Sequence, residues 1–256
     1  MAGYDPLHLG RSIEKCVIDG DKRKYTQLGR PVRFYHGSTS ASAVGCSLTC
    51  KFCWADRNVF KPGKTGRFYS PEEVFNGLTQ CAARHNHRVI SVSGGEGTLG
   101  REHLLSLLHH VRSTTHYFVC ESNGMALGSD ASYVKDLTQF PDHLHVRVSL
   151  KESCPEDFHR VTGARPEAYE LPYQAIQSLI DAEVSVSVCL VASFSSEQNI
   201  QNAISRLAAI HPGILKSLEL ETIKIFPSVK KRLEKAGLNP RRIRHRGQIL
   251  QLERQQ

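Results

Sequence analysis

Between residues 33 and 235 one pattern recurs: a short apolar run ending in polar or glycine residues, then a stretch with helical periodicity. The apolar runs fall at 89–92, 116–120, 144–150, 184–191 and 217–226, with helical stretches at 70–84, 104–111, 131–137, 169–182, 197–209 and 230–236. Leu104, Leu107, Leu108 and Val111 show the i, i+3, i+4, i+7 spacing of a helix packing one face on a sheet. Short strands alternating with helices imply a parallel sheet, because parallel neighbours need a long crossover connection. A first strand at 32–35 or at 41–44 makes six strand–helix units. A βαβ unit takes about 30 residues, so six fit this span and eight do not. The predicted fold is α/β, a partial (β/α)6 barrel with parallel strands, with an open doubly wound sheet as the alternative. In either architecture a ligand belongs at the C-terminal ends of the strands.

Polar residues gather at those ends. The first strand leads into Gly45-Cys46-Ser47-Leu48-Thr49-Cys50-Lys51-Phe52-Cys53, which spaces three cysteines as C-x3-C-x2-C. Later strands end in Gly94-Gly95-Glu96, in Glu121-Ser122-Asn123-Gly124 and in Ser149-Leu150-Lys151. Three thiolates on one loop can hold three corners of a [4Fe–4S] cube and leave the fourth iron open to another ligand. Zinc would want a second paired group, and the nearest His-rich stretch, His85-Asn86-His87, is over 30 positions away. A C-x2-C redox dithiol would not need Cys46. Iron–sulfur ligation is the favoured reading. The remaining cysteines, Cys16, Cys81, Cys120, Cys154 and Cys189, are scattered, and Cys120 and Cys189 read as small buried thiols.

The cysteine spacing with Phe52 before the last cysteine, and Gly94-Gly95-Glu96 at the end of the next strand, resemble the radical S-adenosylmethionine (radical SAM) enzymes. The resemblance implies a single [4Fe–4S] cluster held by Cys46, Cys50 and Cys53, whose unique iron binds S-adenosylmethionine. It implies reductive cleavage of that cofactor to methionine and a 5′-deoxyadenosyl radical, which abstracts a hydrogen atom from the substrate. Phe52 is then expected against the adenine, and Gly94, Gly95 and Glu96 at the methionyl amino group. Glu121-Ser122-Asn123-Gly124 is similar to the E-T-N-G segment of glycyl-radical-enzyme activases, which places Ser122 and Asn123 on the cofactor; an Asn-Gly turn capping a strand is the plain alternative. Ser149-Leu150-Lys151 stands where those activases carry D-x-K. That assigns Lys151 to the methionine carboxylate and Ser149, in place of the acid, to the ribose. Gly97 stands where the family often has proline, and no second cluster motif follows. The sixth-strand residues Glu219, Glu221 and Lys224 could face the site, while His109 and His110 read as helix surface and Lys51 as a surface residue.

Composition sets the surroundings. The formal net charge is +8, partly from Lys22-Arg23-Lys24 and from the run at 241–246. A basic tail suits RNA or another polyanion, although it is more often a solvated end. No apolar run approaches the roughly 20 residues that span a bilayer, and residues 1–10 lack the basic start and apolar run of a signal peptide, so a cytoplasmic protein without membrane contact is expected. The expected layout is an N-terminal extension over 1–30, a radical SAM core over 31–236 and a basic tail over 237–256. The expected partners are a one-electron reductant such as flavodoxin or ferredoxin and a substrate. A protein, as for an activase, is the first reading of that substrate. RNA modification or cofactor biosynthesis is a second reading, and a non-catalytic iron–sulfur or zinc module a third.

Overall fold

A computed structural model describes residues 2–240. In chain order the elements are α1 (Pro6–Val17), β1 (Ile18–Asp19), β2 (Lys22–Val32), β3 (Ser38–Ala43), α2 (Arg57–Phe60), β4 (Arg67–Tyr69), α3 (Pro71–His85), β5 (Val89–Ser93), α4 (Arg101–Arg112) and β6 (Tyr117–Ser122). They continue with α5 (Met125–Ser129), α6 (Ala131–Leu137), β7 (Leu144–Lys151), α7 (Pro155–Thr162), α8 (Leu171–Asp181), β8 (Val186–Val191), α9 (Glu197–Ile210), β9 (Glu219–Glu221) and α10 (Pro227–Lys235). Strands β3, β5, β6, β7, β8 and β9 lie side by side in that order, all parallel, as a partial barrel that does not close.

The alternation of side chains gives the curved sheet two different faces. Ala41, Val92, Cys120, Val146 and Val186 form one row through registered pairs, and this buried apolar face meets the helices. The opposite face carries Ser40, Ser91, Val119 and His145 in one row, Glu121, Arg147 and Ser187 in the next, and Ser149, Cys189 and Glu219 above them. This second face is the polar side of the sheet, and most of its serines are buried.

The observed elements differ from the sequence reading in places with clear physical causes. The first barrel strand is β3, close to the second of the two candidates. Residues 1–30, read as an extension without a period, contain α1 and most of β2. Strand β2 pairs antiparallel with β3, and both β1 and β4 pair with β2. Helix α3 starts where Ser70 caps it: the Glu73 amide donates to Ser70 Oγ at 3.2 Å and the Ser70 amide to Glu73 Oε2 at 2.7 Å, a complete capping box. The last strand is only three residues long, and the short helices α5 and α7 lay unread between stronger periods. The basic run at 241–246 lies outside the described residues.

Candidate active site

The cysteine loop leaves β3 through Gly45, whose φ of 92° is left-handed and favours glycine. Gly94 and Gly95 come against it from β5. The Glu96 amide donates to the Gly45 carbonyl at 2.8 Å, and a Cβ on Gly95 would sit 2.4 Å from that oxygen. Gly95 is therefore required by backbone approach, and Gly94 by its own left-handed φ of 88°. Gly97 belongs to the same contact. Its amide donates to the Glu121 carbonyl at 3.3 Å and a Cβ there would lie 2.6 Å from that oxygen, so proline, which lacks the donor and adds bulk, does not fit.

Glu96, 4% exposed, is spent on joining the strand ends. Its Oε1 accepts from the Thr98 amide (3.2 Å), the Thr98 hydroxyl (2.7 Å) and the Ser122 hydroxyl (2.7 Å), and its Oε2 from the Asn123 amide (2.8 Å). Asn123 in turn donates to Ser47 Oγ at 3.0 Å and to Cys46 Sγ at 3.5 Å. Lys151 donates to Ser149 Oγ at 2.7 Å. Burial opposes its charge, but Cys50, Cys189 and Glu221 around it more than offset this and raise its pKa. Phe52 lies in the core with its ring 6.1 Å from Phe194 at an interplanar angle of 24°. The structure thus brings Cys46, Gly95, Glu96, Ser122 and Asn123 into one connected network, with Lys151 beside Cys50 and Phe52 on the β8 side.

The loop itself is held from outside by residues the sequence reading passed over. Tyr4 Oη accepts from the Thr49 amide at 2.9 Å. The Lys51 amide donates to the Val161 carbonyl at 2.8 Å and Thr49 Oγ1 to the Thr162 carbonyl at 3.0 Å, both at the end of α7. From α10, Arg232 donates to the Lys51 carbonyl at 3.1 Å, to Asp56 at 2.5 Å and to the Cys53 carbonyl. Arg23, 1% exposed, gives its guanidinium to the carbonyls of Glu96 (2.5 Å), Gly97 (2.9 Å) and Leu99 (2.8 Å). A basic run hid it. Arg23 and Tyr25 share the buried face of β2 while Lys22 and Thr26 are exposed, a division that three consecutive basic residues conceal in the sequence.

The donor set fits an iron–sulfur cube. None of the three thiols is in a disulfide. Burial pushes the Cys50 thiol up to about 12 and raises Cys46 and Cys53 as well, with Lys151 working in the opposite direction at Cys50 and Cys53. One buried and two half-buried thiols beside so little positive charge become thiolates when metal ions supply it. Among the described residues no group of three His, Cys, Asp or Glu side chains converges on one ion. A cube needs no such convergence, because each thiolate takes a different iron.

Glu152 adds a titratable group at the same strand ends. Fully buried at a left-handed φ of 80°, it accepts from the Phe194 amide at 3.2 Å and the Ser195 hydroxyl at 2.7 Å. Burial pushes its carboxyl up to about 7, against those hydrogen bonds. The folded pKa lies above the ordinary 4.5, so the stabilising contribution is complete below 4.5 and is lost as pH rises through 7. The loss amounts to about 3 kcal/mol. Glu152→Gln is expected to flatten the stability curve over this window in denaturant titrations; a variant that loses as much stability as the parent would refute the assignment.

A partial parallel barrel with its polar cluster at the C-terminal strand ends defines the class of protein: an open α/β barrel. Residues 41–206 match the family model of the Radical SAM superfamily, and the chain belongs to that superfamily. Enzymes of that superfamily use a [4Fe–4S] cluster and S-adenosylmethionine. The chain is 24% identical over 234 residues to a probable GTP 3′,8-cyclase of Methanosarcina acetivorans, covering 90% of this chain and 64% of the relative. It is 26% identical over 125 residues to biotin synthase of Clostridioides difficile, covering 48% of this chain and 37% of the relative. Streptococcus suis SuiB bound to S-adenosylmethionine shares the fold with a TM-score of 0.59 at 15% identity, over 82% of this chain and 43% of that one. This chain therefore spans less than two thirds of the length of these curated relatives. Among the described residues no helix is long and apolar enough to cross a membrane.

Proposed function

We propose that this chain is a radical SAM enzyme in which Cys46, Cys50 and Cys53 hold the cluster, and that it abstracts a hydrogen atom from a polar substrate lodged on the concave face of the sheet. Bound there, the cluster and S-adenosylmethionine supply one-electron cleavage of the sulfonium and hence a 5′-deoxyadenosyl radical. The observation that carries the reading is the mutual bonding of strand ends around the cysteine loop, from Gly45 to Glu96 and from Glu96 through Asn123 to Cys46.

Each residue then has a task. Gly94 and Gly95 leave their backbone open to a ligand amino group, while Glu96 positions the turn and the Ser122-Asn123 segment rather than offering a free carboxylate. Lys151, a half-buried ammonium bonded only to the Ser149 hydroxyl among the described residues, suits a ligand carboxylate. Ser149 stays within reach of the same ligand. Phe52 and Phe194 present a flat apolar wall for an adenine. The concave face would exclude water around the radical and orient the substrate by Glu121, Arg147 and Cys189.

For the substrate, a protein loop, as in an activase, is favoured by the unclosed sheet, which leaves the concave face open at the side of β9. A small phosphorylated substrate is favoured instead by the likeness to probable GTP 3′,8-cyclases over 90% of the chain. The test is anaerobic reconstitution with iron and sulfide, followed by reductant and S-adenosylmethionine, with 5′-deoxyadenosine measured alone, with GTP and with fractionated protein extract. Absence of 5′-deoxyadenosine under every reduced condition would sink the central reading. Stimulation by GTP would decide for the small substrate, and stimulation by a protein fraction for the activase-like one.

A further inference from the structure

After Cys53 the chain turns to the surface. Trp54, the next residue, is 50% exposed, and Phe60 and Phe68 follow it at 36% and 37%. Between residues 51 and 68 there are five cations and one acid. The acid, Asp56, is already taken by Arg232. Arg57, Lys61, Lys64 and Arg67 are all exposed, and none pairs with a carboxylate among the described residues. A solvated basic loop needs no aromatic side chains. Large rings interleaved with unpaired cations are the composition of a contact surface, where aromatics and arginine are enriched.

The segment is also built firmly. Asn58 donates to the Ala43 carbonyl at 2.9 Å and accepts from the Gly45 amide at 2.9 Å, so it is bolted to both sides of the bend that precedes Cys46. Thr65 Oγ1 donates to the carbonyls of Arg57 (3.2 Å) and Lys61 (2.8 Å), and β4 pairs with β2. The Arg232 guanidinium lies 4.5 Å from the centre of the Phe60 ring while it donates to the Cys53 carbonyl. Phe60 at the surface thus touches the group that grips the backbone of the last cysteine. The other side of the cysteine loop is turned to Asn123 and Lys151, where cofactor and substrate belong, so an electron has to arrive from the outer side.

We propose that the face formed by Trp54, Arg57, Phe60, Lys61, Lys64 and Arg67 docks an acidic, one-electron donor protein that reduces the cluster. The proposal rests on the assignment of Cys46, Cys50 and Cys53 to that cluster. In the step a single electron passes from the reduced donor to the cluster; the donor is oxidised by one, the cluster is reduced by one, and no bond or proton moves. Complementary charge brings the partners together quickly and makes the encounter sensitive to salt. The rings exclude water at the centre of the contact.

Trp54 is the only tryptophan in the chain, so fluorotryptophan labelling gives one fluorine NMR signal on the face. The labelled full chain is titrated with an acidic flavodoxin at low and high salt, and separately with a single-stranded oligonucleotide. The flavodoxin should shift the Trp54 signal, with affinity falling at high salt and by about tenfold or more in Lys61→Glu/Lys64→Glu. In the reconstituted enzyme, formation of 5′-deoxyadenosine driven by reduced flavodoxin should fall in that variant, while formation driven by dithionite stays at the parent rate. A signal that ignores flavodoxin, or that moves only with the oligonucleotide, overturns the proposal, as does a variant that loses both driven rates equally. If dithionite yields no product in the parent, the cysteine assignment fails, and the fluorine titration still decides whether the donor docks here.

Discussion

Cys50→Ser is expected to lose at least a thousandfold of 5′-deoxyadenosine formation and most of the reconstituted iron, while the fold survives. A serine oxygen is a hard, weakly acidic donor in place of a soft thiolate, and the loop offers no fourth sulfur to replace it. The loop should stay folded because its hydrogen bonds run through backbone atoms and through Tyr4, Thr49 and Arg232 rather than through the Cys50 thiol. Iron analysis, visible absorption of the reconstituted protein and the rate of cofactor cleavage check the expectation together. Cys46→Ser should behave alike and also disturb the Asn123 contact. Full iron content with parental cleavage would remove Cys50 from the ligand set. By contrast, Cys16→Ser, in an exposed thiol on α1, should change neither measurement.

Arg23→Ala should be the most destabilising single change on the polar side of the fold, by about 3–5 kcal/mol, because it strips three buried carbonyls of their donor and leaves a void. Those carbonyls belong to Glu96, Gly97 and Leu99. The turn that meets the cysteine loop would then relax, and affinity for S-adenosylmethionine should fall with stability. Arg23→Lys retains the charge but cannot span three acceptors with one ammonium, so it should lie between the two. Denaturant titration and calorimetric binding of S-adenosylmethionine provide the readouts. A loss below about 1 kcal/mol in Arg23→Ala would mean that the turn holds its own shape.

These two residues also mark how much could be read from sequence. Cys50 was legible because ligand chemistry demands a fixed residue type at a fixed spacing, and the strand ends were legible because a buried parallel sheet needs apolar runs bounded by polar ones. The capping box at Ser70 and Glu73 was legible for the same local reason. Arg23 and Arg232 were not, because the backbone carbonyls they bond leave no residue-type signature and lie up to 76 and 181 positions away. Glu96 shows an intermediate case. Its place at the site followed from the glycines before it, yet its carboxylate is occupied by Thr98, Ser122 and Asn123, a contact set that only the registered ends of β5 and β6 create. Strand β2 escaped because its alternation is broken by Gly29 and Pro31 and by shifts in its register.

An unclosed sheet exposes a further hazard, since any bare strand can recruit a strand from another molecule. On one side of the barrel β2 shields β3. On the other, β9 meets the danger by brevity and charge: three residues, Glu219-Leu220-Glu221, with both acids exposed. Arg147 pairs with Glu219 at 2.6 Å and approaches Glu221 at 3.9 Å, which keeps these carboxylates standing along the rim. A second sheet stacking there would have to bury both acids. The three residues that end the sheet among the described residues therefore discourage the protein from polymerising through that side.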